Sequence, residues 1–227
     1  MREVLVKVTF TEPVLGMRAA DEEVYSKYIA SKAPDAASKE EEVAASGVDD
    51  VVEKGTTIFP RTDDGVPFFW DYQWLGYLKE ACGGLQKEKN EKVAKATSKI
   101  KAYKKVIDNN VHVYPRKVEL HMPEGEEVKT LERPLRASTA QGDRVALARS
   151  EMLPAGTTTE FIIETPDDYL DAVIEWLNQG QKHGTGQWRS ASYGRFTYTA
   201  IDAETDEEIS RSDVHDPYQE YLKKHQK

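Results

Sequence analysis

Apolar and polar residues alternate at the start of the chain, where Val4, Val6, Val8 and Phe10 interleave with Leu5, Lys7 and Thr9. A period of two marks a strand with one buried face, so residues 2–13 are predicted as the opening strand. Further along the period changes: Trp70, Trp74, Leu75, Leu78 and Cys82 recur at helical spacing, which predicts a core helix over 68–82 that Gly83-Gly84 ends. A charged helix is expected to follow over 87–107, with Val93, Ala96, Ile100 and Tyr103 on one side. Val111, Val113, Val118 and Leu120 give a second strand over 111–121, and Pro115, which has no N–H for a ladder, assigns it to an edge or a bulge. A β-branched run over 157–164 gives a third strand. Thr165-Pro166-Asp167-Asp168 then supplies a helix start, with a cap candidate, a proline in the first position and acids in the first turn. Tyr169, Leu170, Val173, Ile174 and Leu177 face inward over 167–179, and residues 194–201 close with a strand.

Between these elements the pattern fades. A short helix is expected over 21–32, and 33–54 is so rich in Ala, Ser, Glu and Asp that it reads as a mobile insertion with one weak helix. Residues 55–67 read as a loop or hairpin. Residues 122–157 form an excursion punctuated by Pro123, Gly125, Pro134, Gly142, Pro154 and Gly156, with extended pieces at 128–136 and 143–151, and an arm-like hairpin is the natural reading. From Asp202 onward the chain is acidic and poor in apolar groups, so a frayed or weakly packed tail is expected. The long elements run strand, helix, strand, strand, helix, strand. That is the order of an α+β, ferredoxin-like (RRM-like) βαββαβ core, as one elaborated domain over 1–201 with insertions at 20–67, 84–108 and 122–156 and a tail over 202–227. A chain of 227 residues is long enough to bury such a core without staples.

Charge changes the picture in two steps. The formal net charge of −9 opposes a polyanionic partner, since phosphate binding normally shows as a basic excess. Both ends are acidic, but residues 87–117 hold ten Lys or Arg against three acids, and 133–149 hold four arginines against one aspartate. A basic middle inside acidic flanks fits a polyanion groove on an acidic surface; the lysine run also reads as a solvated helix face. The lone Cys82, flanked in helical register by Leu78 and Leu85, reads as a buried thiol. No apolar run approaches the roughly 20 residues that span a bilayer, and the first residues lack a signal-peptide pattern, so a cytoplasmic protein with no membrane partner is expected.

The candidate chemistry concentrates in residues 183–196, His-Gly-Thr-Gly-Gln-Trp-Arg-Ser-Ala-Ser-Tyr-Gly-Arg-Phe, between a predicted helix and a predicted strand. Glycine lets a backbone approach a phosphate chain with bare N–H groups, arginine offers a planar fork, and Trp188 or Tyr193 can stack on a base. The plainer alternative is a glycine-rich connector whose aromatics cap the core. The arm carries Arg133, Arg136, Arg144 and Arg149 around Ser138-Thr139-Ala140-Gln141-Gly142, which suits backbone contacts to a nucleic acid or a solvated hairpin making its own ion pairs. A competing enzymatic reading uses His183, beside Lys182, as general base or acid with His112 or Tyr193. Asp63, Asp64 and Asp71 match no defined metal-ligand spacing, and no Walker loop, zinc pattern or Rossmann fingerprint is present, so no metal or cofactor is expected.

The opening Val6-Lys7-Val8-Thr9-Phe10-Thr11-Glu12-Pro13-Val14-Leu15-Gly16 resembles the first strand of the repeat-associated RAMP superfamily, and 183–196 resembles its glycine-rich loop between last helix and last strand. The backbone subunits of CRISPR effector complexes are the nearest likeness, and 132–151 is similar to stretches of uncharacterised phage proteins, which implies a phage-encoded member in a bacterial cell. The resemblance implies a ferredoxin-like core with an inserted arm, and single-stranded RNA or DNA as partner. It also implies self-association or a multi-subunit complex. By the same resemblance Lys182, Gly184, Gly186, Trp188, Arg189, Tyr193, Gly194 and Arg195 form the loop that contacts the ligand, with the arm laid over the strand. Some members are metal-independent endoribonucleases, which keeps His183 as the alternative catalytic residue. A third reading is an interaction protein docking a host protein.

Overall fold

A computed structural model describes residues 1–19, 56–88, 93–139, 142–214 and 216–225, with the backbone alone over 135–139 and 142–147 and at Gln219. The expected helix over 21–32 and the insertion over 33–54 lie outside the described residues. The chain is a mixed α+β protein with several sheets. In the main sheet β1 (Arg2–Phe10) is central, with β10 (Thr158–Thr165) and β11 (Phe196–Asp202) antiparallel on its two sides. Beyond β10 lies β6 (His112–Tyr114), and beyond β11 lies β12 (Glu208–Arg211). Neighbouring strands therefore run β12-β11-β1-β10-β6.

The period of two does what it predicts. Val4, Val6, Val8 and Phe10 are buried on one face, joined by Phe161 and Ile163 of β10 and by Phe196, Tyr198 and Ala200 of β11. Against that face pack α1 (Asp71–Leu85) and α3 (Leu170–Asn178). Trp74 of α1 is the hub: Phe161 lies 4.4 Å from it between ring centroids, Phe196 5.7 Å and Tyr77 6.1 Å. Tyr77 donates its hydroxyl to the Trp176 carbonyl of α3 at 2.7 Å, so the two helices are joined by a satisfied buried hydrogen bond as well as by area. The outer face of the sheet carries the row Ile201, Leu5, Ile162 and Tyr114 between polar rows, as the register dictates. Among the described residues its rings are Tyr114 and His112, both on the edge strand β6.

The hairpin arm is present and longer than expected, with β8 (Lys129–Thr139) and β9 (Gly142–Leu153) pairing without a break from Lys129↔Met152 to Thr139↔Gly142. Its base is anchored in a second sheet, where β9 pairs with β2 (Val14–Leu15) and with β4 (Thr56–Ile58), and β4 with β3 (Arg18–Ala19). Glu151 fixes that base by accepting from the Phe59 N–H at 2.8 Å and from Arg61 at 2.7 Å.

Several sequence expectations are corrected. The first core helix begins at Asp71 and runs through Gly83-Gly84 to Leu85, because Phe68–Trp70 is spent as a short strand, β5, paired with β7 (Lys117–Glu119). The charged helix expected over 87–107 is replaced, in its described part, by a 3-10 turn Thr97–Lys99 and a short α2 (Tyr103–Asn110). That turn is held by Glu175 of α3, whose carboxylate accepts from the N–H groups of Ala96 and Thr97 at 2.8 Å and from the Thr97 hydroxyl at 2.6 Å. The tail, expected to be frayed or weakly packed, carries β12, because β11 has an unpaired edge that residues 208–211 complete, and then a largely exposed helix α5 (Pro217–His225). Among the described residues no helix is long and apolar enough to cross a membrane.

Cys82 is fully buried, and burial together with the nearby Glu175 carboxylate pushes its thiol up to about 12. At pH 8 only about one thiol in ten thousand is then ionised. The folded protein is expected to resist iodoacetamide at pH 8 and to react only when denatured; mass spectrometry of alkylated protein checks this.

Candidate nucleic-acid interface

The glycine-rich loop emerges where α3 ends and α4 (Gly180–His183) makes one more turn. Gly184, at φ 62°, lies against the Gly194–Arg195 peptide, and Gly194, at φ 71°, lies against Thr185. Thr185 donates to the Gly194 carbonyl at 2.9 Å, and Gly194 donates to the Pro13 carbonyl at 2.8 Å. The Arg195 carbonyl in turn accepts from Thr11 at 2.8 Å. The loop is thus interlocked through Pro13 with the corner between β1 and β2, whereas Gly16 lies against the Ile58–Phe59 peptide. A side chain at 184 or 194 has no room, which is a packing demand on these glycines.

This accounting divides the loop's amides. Those of Gly184 and Gly194 donate to Gly180 and Pro13 and are not available to a ligand. Among the described residues the amides of Gly186, Gln187 and Trp188 have no intramolecular acceptor. Trp188 at φ 52° and Ser192 at φ 72° hold left-handed backbone conformations that cost roughly 1 kcal/mol or more each in non-glycine residues.

The arm and the loop meet. The Arg133 guanidinium lies 4.6 Å from the centroid of the Trp188 ring, and Trp188 stacks on Tyr193 at 5.2 Å with 11° between planes. Trp188 is still 38% exposed, so this three-part tier stands at the surface. The other arm arginines separate by strand alternation. Arg133 pairs with Ala148 and Arg144 with Ala137, which puts positions 133 and 144 on one face of the ribbon, while 136 and 149 fall on the other. Arg149 is engaged at 2.8 Å by Glu132 beside it, and the side chains of Arg136 and Arg144 lie outside the described residues.

Arg189 reaches the opposite way and forms an ion pair with Glu80 of α1. The partner on α1 has no signal in the sequence, since nothing local links Glu80 to a residue 109 positions away. Around this pair open two adjacent hollows, one of about 370 Å³ lined by Tyr77, Ala81 and Leu85 and one of about 560 Å³ lined by Gln187 and Trp188. Glu80, His183 and Arg189 border both, and exposed Lys182 stands at the rim of the first. Among the described residues the buried Nε of Arg195 has no hydrogen-bond acceptor. His112 lies at the other end of the sheet: it pairs with Glu164 opposite Glu3, whereas the loop joins the Phe10 end, about 25 Å away at strand spacing. Tyr193 stacks on Trp188, and no hydrogen bond joins it to His183 among the described residues.

No protein-family model and no curated protein matches the chain. Among solved structures it is similar to a chain of a type IV-B CRISPR complex, at 13% identity and a TM-score of 0.45, covering 96% of this chain and 98% of that one. It is also similar to a chain of the type III-B Cmr-beta assembly bound to cognate target RNA, at 12% identity and a TM-score of 0.46, covering 89% of this chain and 62% of that one.

Proposed function

We propose that this chain is a non-catalytic, single-stranded nucleic-acid-binding protein that grips the phosphate backbone between its glycine-rich loop and its arginine-bearing arm, and that it self-associates along its ligand. The observation that carries the reading is the Arg133, Trp188 and Tyr193 tier, because it brings the arm and the loop to one surface where planar cations and aromatics are offered together. The amides of Gly186, Gln187 and Trp188 support it as donors for phosphate oxygens, and the left-handed backbone at Trp188 and Ser192 fits a loop shaped for a ligand at some cost in stability. The Glu80–Arg189 pair does not stand in the way: both groups are partly exposed, such pairs contribute about 1 kcal/mol or less, and a phosphate is an equivalent partner for the guanidinium.

The core is read as ferredoxin-like and RAMP-like. Counting only β1, β6, β10 and β11, the lateral order is fourth, first, third, second, all antiparallel, with α1 and α3 as the two crossover helices and the arm inserted between the second and third strands. Residues 1–201 are read as one domain, since β1 is flanked by β10 and β11 and the sheet closes only when the chain is nearly complete. RNA and single-stranded DNA both satisfy the chemistry.

Electrophoretic shifts with 20-nucleotide single-stranded RNA, single-stranded DNA and duplex, at 50 and 200 mM salt, test the reading. Single strands are expected to bind more tightly than duplex, with affinity falling steeply between the two salts. Arg195→Ala is expected to weaken binding several-fold and to flatten the salt slope by about one unit. No shift at 50 mM salt would overturn the proposal, and RNA shortening that vanishes in His183→Ala would replace it with a nuclease.

A further inference from the structure

The geometry points to a second contact surface for single-stranded nucleic acid, formed by Trp70, Tyr72, Arg116 and Lys117 at the start of α1; for the class of ligand it rests on the reading above. Residues 68–70 form β5, whose alternation sends Phe69 into the core with Phe59 and Trp74 and leaves Phe68 and Trp70 on the opposite face. There Trp70 packs edge-on against Phe68 at 4.9 Å and lies nearly parallel to Tyr72 at 6.1 Å, with 13° between planes. Tyr72 is 51% exposed. The Arg116 guanidinium lies 5.6 Å from the Trp70 centroid, and the Lys117 ammonium lies 5.6 Å from that of Phe68.

Three properties separate this surface from an ordinary capped helix start. First, its cations are not neutralised: among the described residues neither Arg116 nor Lys117 pairs with a carboxylate, whereas Arg149 and Arg189 both do. Glu119, two residues along the same face from Lys117, lies 3.6 Å from His121, so on a chain of net charge −9 the two cations beside the aromatic rings remain a local site for phosphate. Second, the frame is rigid. The backbone N–H of Trp70 donates to Gln73 Oε1 at 2.7 Å, that of Asp71 donates to the Arg116 carbonyl at 2.9 Å, and β5 is in register with β7, so the backbone that carries the rings is held in place before any ligand arrives. Third, the exposed Tyr72 ring, backed by the nearly parallel and partly buried Trp70, suits a stacked base of any sequence. An acidic protein segment matches the charge and leaves the rings without a planar partner. Nucleic acid is therefore the occupant that both halves of the surface fit. Glu80, which holds Arg189, lies on α1 ten residues beyond Trp70, which caps the start of that helix, about 15 Å of rise, so one strand can reach the loop and this surface together.

Photocrosslinking the full chain to a single-stranded RNA carrying 4-thiouridine, with peptide mapping by mass spectrometry, tests this. Crosslinks are expected at Trp70 or Tyr72 in addition to Trp188. Arg116→Ser/Lys117→Ser and, separately, Tyr72→Ala alter exposed positions and are expected to leave the melting temperature unchanged. Each is expected to weaken binding about fivefold, while the Trp188 crosslink persists. Crosslinks at the loop alone overturn this proposal and keep the loop reading; crosslinks at this surface alone do the reverse, and none anywhere overturns both. Variants with unchanged affinity but a smaller sedimenting mass assign the surface to a second copy of the chain and overturn it as well.

Discussion

Gly194→Ala is expected to lower the melting temperature by about 10 °C and to abolish the folded form of the loop. A Cβ at this position falls 1.8 Å from the Thr185 carbonyl oxygen, on a backbone at φ 71°. Left-handed backbone alone costs an alanine roughly 1–2 kcal/mol. The clash adds more, because its partner is main chain that no rotamer change can move, and the Gly194 N–H to Pro13 bond must stretch to relieve it. A total of about 4 kcal/mol is reasonable, and for a chain of this size each kcal/mol shifts the midpoint by about 2–4 °C. The control is Gly76→Ala. That glycine is helical, exposed and clear of neighbours, so its replacement is expected to leave the protein equally stable or up to about 1 kcal/mol more so. Differential scanning calorimetry of the two variants decides the matter: equal midpoints would mean that the loop is not interlocked with the β1–β2 corner as described.

The same glycines show what a sequence can and cannot reveal. Their placement after a helix and before a strand was legible, because the inward residues from Tyr169 to Leu177 and the alternation from Phe196 to Ala200 fix both flanks. Their immediate job was not. Glycine-rich segments suggest bare amides, yet of the four N–H groups at 184, 185, 186 and 194 three are spent: Gly184 on the Gly180 carbonyl one helical turn back, Thr185 on Gly194, and Gly194 on Pro13, the last two at sequence distances that no local pattern encodes. The arm was legible from its punctuation by Pro and Gly, and Pro134, inside the extended piece expected over 128–136, stands within β8 opposite Leu147 of β9. Trp70 was misread for a related reason. Its four-residue spacing from Trp74 mimics a helix face, but Phe68–Trp70 finds a partner strand fifty residues away, and the helix begins only after it. β12 escaped notice because its four residues are mostly polar, and an edge strand is selected by the unpaired groups of its neighbour rather than by its own apolar pattern.

Arg133 and Trp188 are the pair on which arm and loop depend, and a double-mutant cycle is expected to show that they act as one unit in binding. Trp188→Ala removes a stacking surface, for which about 1–3 kcal/mol per base is usual, so affinity for a single-stranded 20-mer is expected to fall about thirtyfold. Arg133→Ala removes a cation that is also the lid of that ring, and a fall of about tenfold is expected. The double variant is expected to fall short of the product by about fivefold, since each single change already disturbs the other residue's placement. Arg133→Lys sharpens the test. It keeps the charge and loses the planar face, so the salt dependence is expected to match the parent while the affinity does not recover. Fluorescence anisotropy titrations at two salt concentrations measure all four variants. Strictly multiplicative losses would mean that the arm and the loop meet the ligand independently. Unchanged affinity throughout would reduce the tier to a cap on the β1–β2 corner, and a chain of net charge −9 would then have no surface track for phosphate at this end of the sheet.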